Sequence, residues 1–155
     1  MKPHIRWMIR RDMPEVLAIE GDSYESPWTE DDFIRCLRQR NCIGMVAIDR
    51  ESERVLGFMV YELHKSRLHL LNIAVSRDDR RRGIGRAMME KLVGKLSSQR
   101  RNRLALECAD RNLDGHLFFR ACGMRASHII RGFYDHDEAD AYSFTLDVFD
   151  QAVAT

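Results

Sequence analysis

The chain has 155 residues, which is the usual size of one domain and enough to bury a hydrophobic core without disulfide or metal support. Apolar residues make up 45% and charged residues 32% of the sequence, a composition that excludes a disordered chain, a collagen and a disulfide scaffold. The formal net charge is only +1, so no overall excess of positive charge favours nucleic acid as a partner. Because the sequence has neither a bilayer-spanning apolar run nor a signal-peptide pattern, we expect a cytoplasmic protein without membrane contact.

The first quarter of the chain predicts a strand followed by two helices. Residues 5–10 predict a short strand. The sequence Asp12-Met13-Pro14-Glu15 predicts a capping box, with proline in the first turn of the first helix. Thr29 precedes three acidic residues and then an apolar helical pattern, which predicts that it caps the second helix.

The middle of the chain predicts a β-α-β crossover. Residues 42–49 and 55–63 form the arms of a hairpin, and residues 67–75 are so continuously apolar that a central strand covered on both faces is expected. An arginine-rich turn then leads into a helix with an apolar stripe at steps of three or four residues, formed by Ile84, Ala87, Met88, Leu92 and Leu96. The strand at residues 104–108 should therefore run parallel to the one at 67–75.

The last third predicts a helix and two further strands. The helix spans residues 112–121 and ends before Gly123, and the strands span residues 124–130 and 141–149. The predicted fold is α/β, with a mixed, mostly antiparallel sheet of about six or seven strands, a central parallel pair and about four helices. We expect residues 1–155 to form a single domain.

The segment Arg80-Arg81-Arg82-Gly83-Ile84-Gly85-Arg86 lies between the buried strand and the start of the crossover helix. Unpaired N–H groups, glycines that admit a ligand to the backbone, and forked arginine donors together predict a phosphate-binding site. The dinucleotide pattern would need glycine where Met88 stands, and the Walker pattern Gly-Lys-Ser/Thr is missing. The alternative is a solvated arginine-rich turn.

The spacing Arg80-x-x-Gly83-x-Gly85 resembles motif A of the GCN5-related N-acetyltransferases (GNAT), which cradles the pyrophosphate of acetyl-CoA. Asn72-Ile73-Ala74-Val75 resembles the family's fourth strand, and Leu106-Glu107-Cys108 with Arg111-Asn112 resembles its fifth strand and the following helix. Ser26-Pro27-Trp28-Thr29 and Arg131-Gly132-Phe133-Tyr134 resemble two stretches of the RimI-type ribosomal-protein-alanine N-acetyltransferases. The resemblance covers residues 5–147.

The resemblance implies direct transfer of acetyl from acetyl-CoA to an amine, without a metal. It implies that Glu107 is the general base, acting through a water, and strand alternation places Glu107 opposite Leu104 and Leu106. A surface-facing strand glutamate is the alternative for Glu107. The implied acetyl-CoA-binding residues are Ile73, Ala74, Val75, Arg81, Arg82, Gly83, Ile84, Gly85, Arg86, Asn112 and Phe119.

One position departs from the family pattern. The family's general acid is a tyrosine seven residues after the asparagine, and this chain has Phe119 there, which carries no proton to give. The thiolate can leave unaided, since a thiol pKa near 8.5 makes it a fair leaving group. Otherwise Tyr134 or Cys122 replaces the tyrosine, or the protein is a weak or lost enzyme. We favour the unaided thiolate, with Tyr134 as the second choice for a catalytic residue.

The acceptor amine is expected to be a protein N-terminus. An α-amine has a pKa of about 7.7–8.0 against about 10.4 for lysine, so neutralising it at pH 7 costs about 3 kcal/mol less. The resemblance implies alanine at the N-terminus of a small-subunit ribosomal protein as substrate. Alternatives are a lysine or small polyamine-like amine, and, in another class, a CoA-binding regulatory module without catalysis. An RNA-binding surface built on the arginine cluster is the least favoured of the alternative functions.

We expect no required nucleic acid, and a monomer or weak dimer. Residues 24–28 and 133–136 are predicted to grip the peptide substrate. The acidic run Asp135, Asp137, Glu138 and Asp140 would attract a basic peptide or simply form a solvated loop.

Overall fold

The computed structural model describes residues 2–134 and 139–148. Its elements in chain order are β1 (His4–Trp7), α1 (Met13–Ser23), α2 (Glu30–Leu37), β2 (Cys42–Ile48), β3 (Val55–Leu63), β4 (Arg67–Val75), α3 (Ile84–Val93), β5 (Arg103–Ala109), α4 (Leu113–Ala121), β6 (Arg125–Tyr134) and β7 (Ala139–Asp147). Short 3-10 turns occupy Arg10–Asp12 and Arg77–Asp79.

The strands form one sheet in the order β1-β2-β3-β4-β5-β7-β6. The β4–β5 pair is parallel, while β1–β2, β2–β3, β5–β7 and β6–β7 are antiparallel. The α/β class, the mixed seven-stranded sheet, the central parallel pair and the four helices are thus confirmed over the described residues. In those same residues no helix is both long enough and apolar enough to cross a membrane.

The chain forms two compact units. Over the described residues the first comprises residues 2–63 and 71–92, and the second comprises residues 64–70, 93–134 and 139–148. Strand β4 contributes its last five residues to the first unit and its first four to the second.

One hydrophobic cluster in the core of the first unit is built by α1, α2, β2, β3 and the end of β4. Its buried apolar side chains are Val16, Ile19, Phe33, Cys42, Val46, Ile48, Val55, Phe58, Val60 and Ala74. The ring of Phe33 packs edge to face on Trp28 at 5.0 Å and on Phe58 at 5.5 Å between centroids. Because aromatic rings bury large apolar areas, this cluster fixes α2 and the Trp28 segment against the sheet.

The two predicted helix caps differ in outcome. Thr29 caps α2 as predicted, since its hydroxyl accepts the N–H of Asp32 at 3.2 Å and the Asp32 carboxylate accepts the N–H of Thr29 at 2.8 Å. The capping box at Asp12 is wrong. Its carboxylate instead accepts two N–H groups of the Arg6 guanidinium, at 2.8 and 2.9 Å, and the N–H of Ile9 at 2.8 Å.

Two predicted boundaries are also wrong. The first strand ends at Trp7 rather than at residue 10, because Arg10–Asp12 turns into a 3-10 segment held by the Asp12 carboxylate. Helix α3 ends at Val93, so Leu96 of the predicted stripe lies beyond it. Gly94 follows Val93 directly, and glycine disfavours continuation of a helix.

In the second unit β5 lies between β4 and β7. The parallel ladder runs from Arg67↔Arg103 to Leu70↔Leu106, and β5 pairs with β7 along its whole length. Along β5 the even-numbered residues are buried and the odd-numbered ones are partly or fully exposed. This alternation confirms that Glu107 lies on the face opposite Leu104 and Leu106.

Candidate active site

The arginine-rich segment forms a loop that ends at the first turn of α3. Arg81 and Gly83 have φ angles of 64° and 82°, a left-handed region that favours glycine. The N–H of Ala87 donates to the Gly83 carbonyl at 3.0 Å, so the three N–H groups before it lie in the first helical turn, which has no internal partners for them. A Cβ added at Gly83 would meet nothing within 4 Å. The backbone is therefore open where an anionic group would bind.

Asp79 anchors this loop from inside. Its side chain is 2% exposed and accepts N–H groups of Arg54 at 2.6 and 3.0 Å and of Arg82 at 3.0 Å. The Arg54 guanidinium lowers the pKa of Asp79. Sequence reasoning missed Asp79, since the only signal was an acidic pair within an otherwise basic turn.

The arginines of the loop divide into two kinds. Arg80 donates to the Val75 carbonyl and to the Ser23 hydroxyl, both at 3.1 Å, and Arg82 is tied to Asp79. Arg81 and Arg86 are exposed and make no hydrogen bond or ion pair to any described residue. The two unengaged guanidinium groups are therefore the better candidates for contact with a phosphate.

The C-terminal end of β4 is braced from α1. Tyr24 donates its hydroxyl proton to the Ile73 carbonyl at 2.6 Å. Ile73 and Ala74 are 9% and 8% exposed. Gly57 allows β3 to approach closely, because a Cβ there would lie 2.8 Å from the Ala74 carbonyl oxygen. This bracing holds the backbone of residues 73–75 in a fixed position.

A second brace is the buried carboxylate of Glu20, which sequence reasoning also missed. It accepts the side-chain N–H of Asn72 and the backbone N–H of Trp28, each at 2.8 Å. Burial raises the pKa of Glu20 above its ordinary value, while the two hydrogen bonds act in the opposite direction. Glu20 thereby connects α1, the Trp28 segment and β4 within the first unit.

Glu107 of β5 is paired with His69 of β4. The distance from His69 Nε2 to Glu107 Oε1 is 2.7 Å, and the side chains are 20% and 18% exposed. The predicted base therefore has a histidine of the neighbouring strand as its partner. The register explains the contact, since His69 lies opposite Ala105 and Glu107 follows two positions later on the same face.

Asn112 is the N-cap of α4 and Phe119 lies within this helix, and both have local structural contacts. The Asn112 side-chain oxygen accepts the N–H of Gly115 at 2.9 Å and so caps the helix. Phe119 is 7% exposed and packs on Phe144 at 5.9 Å between ring centroids. The cap occupies the oxygen of the Asn112 amide, and no described residue accepts a hydrogen bond from its N–H groups, which can therefore contact a ligand.

Part of the predicted substrate loop lies outside the described residues. The backbone of Tyr134 ends β6 opposite Ala139, but its side chain is not described. Asp135, Asp137 and Glu138 also lie outside the described ranges. Asp140 is described, and its carboxylate accepts the N–H of Gly132 at 2.8 Å.

Comparison with known proteins agrees with this arrangement. The sequence model of the acetyltransferase (GNAT) family matches residues 5–124. The chain belongs to this family, and it is an acetyl-CoA-dependent N-acetyltransferase.

One protein of similar sequence and two of similar structure illustrate the likeness. The ribosomal protein bS18-alanine N-acetyltransferase of Salmonella typhimurium is 28% identical over 123 residues, which are 79% of this chain and 81% of the relative. The crystal structure of the ribosomal-protein-S18-alanine N-acetyltransferase of Escherichia coli has a TM-score of 0.82 at 23% identity, covering 96% of this chain and 95% of that one. Ard1 of Thermoplasma volcanium has a TM-score of 0.85 at 22% identity, covering 97% and 100%. The two structures support the fold.

The left-handed backbone at Gly83 makes a specific prediction. Gly83→Ala places a Cβ on a residue with φ of 82°, which costs about 1–2 kcal/mol, so acetyl-CoA should bind about tenfold more weakly. Calorimetric titration measures this change. The matched control is Gly21→Ala in α1, where an added Cβ meets nothing within 4 Å. An unchanged Kd in Gly83→Ala would show that this backbone geometry does not hold the cofactor.

Proposed function

We propose that this acetyltransferase modifies the N-terminal α-amino group of a protein, with the alanine of a small-subunit ribosomal protein as substrate. The observation that carries the proposal is Glu107, a partly exposed carboxylate on β5 that is held through one oxygen by the residues that the structure describes. A carboxylate acting through a water is suited to an α-amine, whose pKa of about 7.7–8.0 leaves much of it neutral near pH 7–8. The name of the Salmonella relative supports the choice of alanine.

The proposed reaction gives each group one role. Glu107 takes a proton from the ammonium through a water, and the neutral nitrogen attacks the thioester carbonyl. The C–N bond forms, the nitrogen loses its second proton to solvent, the C–S bond breaks, and the thiolate leaves and is protonated by solvent. Backbone groups of residues 73–75 align the thioester, and the first turn of α3 with Arg81 and Arg86 binds the pyrophosphate. The chain's own contribution is therefore orientation and removal of one proton.

The leaving thiolate is proposed to need no acid from the protein. Phe119 has no exchangeable proton and is buried against Phe144. With an ordinary thiol pKa near 8.5, the thiolate is stable enough to leave near neutral pH. Tyr134 remains the second candidate for a proton donor.

We further propose that residues 1–155 act as one N-acetyltransferase domain in the cytoplasm, as a monomer or weak dimer, with no need for metal or nucleic acid. The family match supports the single domain, because residues 5–124 include parts of both compact units. A ribosomal-protein substrate supports the cytoplasm, since ribosomal proteins meet their modifying enzymes where they are made.

The test combines calorimetry with acetyl-CoA and a free-thiol assay on two matched peptides. One peptide begins with a free alanine, and the other is blocked at its N-terminus and carries one lysine. We expect micromolar binding and thiol release with the free alanine only. Release with the lysine peptide would favour a lysine or small-amine acetyltransferase. Binding without turnover on any amine would favour a CoA-binding regulatory module.

A further inference from the structure

The contact between His69 and Glu107 has a defined direction. An ionised carboxylate carries no proton, so the imidazole Nε2–H donates to Glu107 Oε1 across the 2.7 Å that separate them. Among the described residues Glu107 makes no other side-chain hydrogen bond or ion pair. Its second oxygen, Oε2, is therefore left for a water molecule.

The register of the two strands places the His69 and Glu107 side chains next to each other. Both residues lie on the partly exposed face of the parallel ladder, whereas Leu68, Leu70 and Leu106 lie on the buried face. Both side chains are about four-fifths buried, so the hydrogen bond is shielded from competing water. A carboxylate held in this way has one orientation instead of several.

We propose that His69 is a positioning residue for Glu107. It holds Oε1 and so directs Oε2 at the water through which the amine loses its proton. A base in one fixed orientation transfers protons more effectively than one that samples several, because the reacting groups are already aligned. This role of His69 rests on the proposed function, and it is identified from the register of β4 and β5 rather than from a sequence motif.

The kinetic test compares His69→Leu with His69→Gln. Leucine removes the donor, and we expect kcat with the alanine peptide to fall about ten- to hundredfold, the range typical of residues that orient a functional ligand. Glutamine retains an N–H donor and should recover most of the rate. The Kd of acetyl-CoA should change little in either variant, while the thermal midpoint should fall in His69→Leu, which leaves the Glu107 carboxylate without its donor, and be retained in His69→Gln. A wild-type kcat in His69→Leu would overturn the proposal.

A double-mutant cycle separates positioning from a general structural effect. If His69 acts through Glu107, His69→Leu should have no further effect on kcat once Glu107 is already glutamine. An equal additional loss in the double variant would overturn the positioning role.

Nitrogen-15 NMR of the His69 imidazole tests the His69–Glu107 hydrogen bond independently of the proposed function. In protein without substrate at pH 8.5, we expect the His69 proton on Nε2, and we expect the Nε2 resonance to shift in Glu107→Gln. A proton on Nδ1 would overturn the inference even in an active enzyme. Wild-type protein that turns over no amine while keeping the Nε2 proton would refute the proposed function and leave the His69–Glu107 pairing supported.

Discussion

Glu107→Gln should lower kcat for the alanine peptide by about 10²–10⁴-fold and leave the affinity for acetyl-CoA unchanged. General bases contribute on this scale, and a carboxamide cannot accept the proton. The substitution is nearly isosteric, and the glutamine oxygen can still accept the Nε2–H of His69 in place of Oε1. Fold and pairing should therefore survive while the basicity is lost.

The measurement for Glu107 is steady-state thiol release together with calorimetric titration of acetyl-CoA. Glu90→Gln on α3 is the matched control, because Glu90 is exposed and has no role in the proposed reaction. Wild-type turnover in Glu107→Gln would refute the assignment of the base. Loss of acetyl-CoA binding would instead show that Glu107 supports the cofactor site.

The parts of the fold that the sequence predicts well are those set by local pattern. The apolar run of β4 and the alternation in β5 give both the strands and the face on which Glu107 lies. The crossover rule then makes the two strands parallel, as the ladder confirms. Thr29 and Asp32 cap α2 through contacts only three positions apart, which a local motif can specify.

The contacts that escape prediction are those between distant positions. Asp79 is held by Arg54 from 25 residues away, Glu20 by Asn72 from 52, and Glu107 by His69 from 38. In each case an ordinary-looking acid becomes a buried or half-buried acceptor only after the strands have paired. The wrong capping box has a more local cause, because the carboxylate of Asp12 binds the Arg6 guanidinium, six residues away, instead of the N–H groups of the helix.

The division among the loop arginines also follows from contacts made in the folded protein. The sequence shows four similar side chains, but Arg80 and Arg82 are tied to the protein and Arg81 and Arg86 are not. A basic motif therefore contains both the donors offered to a ligand and the donors that build the loop. Arg80 is held by the Val75 carbonyl and the Ser23 hydroxyl. Arg82 depends instead on Asp79, an acid that the motif does not include.

That acid, Asp79, gives the second large prediction: Asp79→Asn should weaken acetyl-CoA binding more than tenfold and destabilise the fold. The carboxylate is the shared acceptor of Arg54 and Arg82, and its loss leaves two neighbouring cations without their counter-charge. Breaking a buried ion pair costs about 3–5 kcal/mol. Because both guanidinium groups are nearly half exposed, at 47% and 45%, and can turn to water, we expect about 2 kcal/mol.

Thermal unfolding at several pH values tests this prediction, with Asp78→Asn as the control because Asp78 is the exposed neighbour. The ion pairs hold the pKa of Asp79 below its ordinary 3.8, so its stabilisation is complete above that value and is lost as the pH falls through the lower folded-state pKa. The gap between the wild type and Asp79→Asn should therefore be widest near neutral pH and close in strong acid. A gap that is the same at every pH would show that packing, rather than the charge of Asp79, holds the loop in shape.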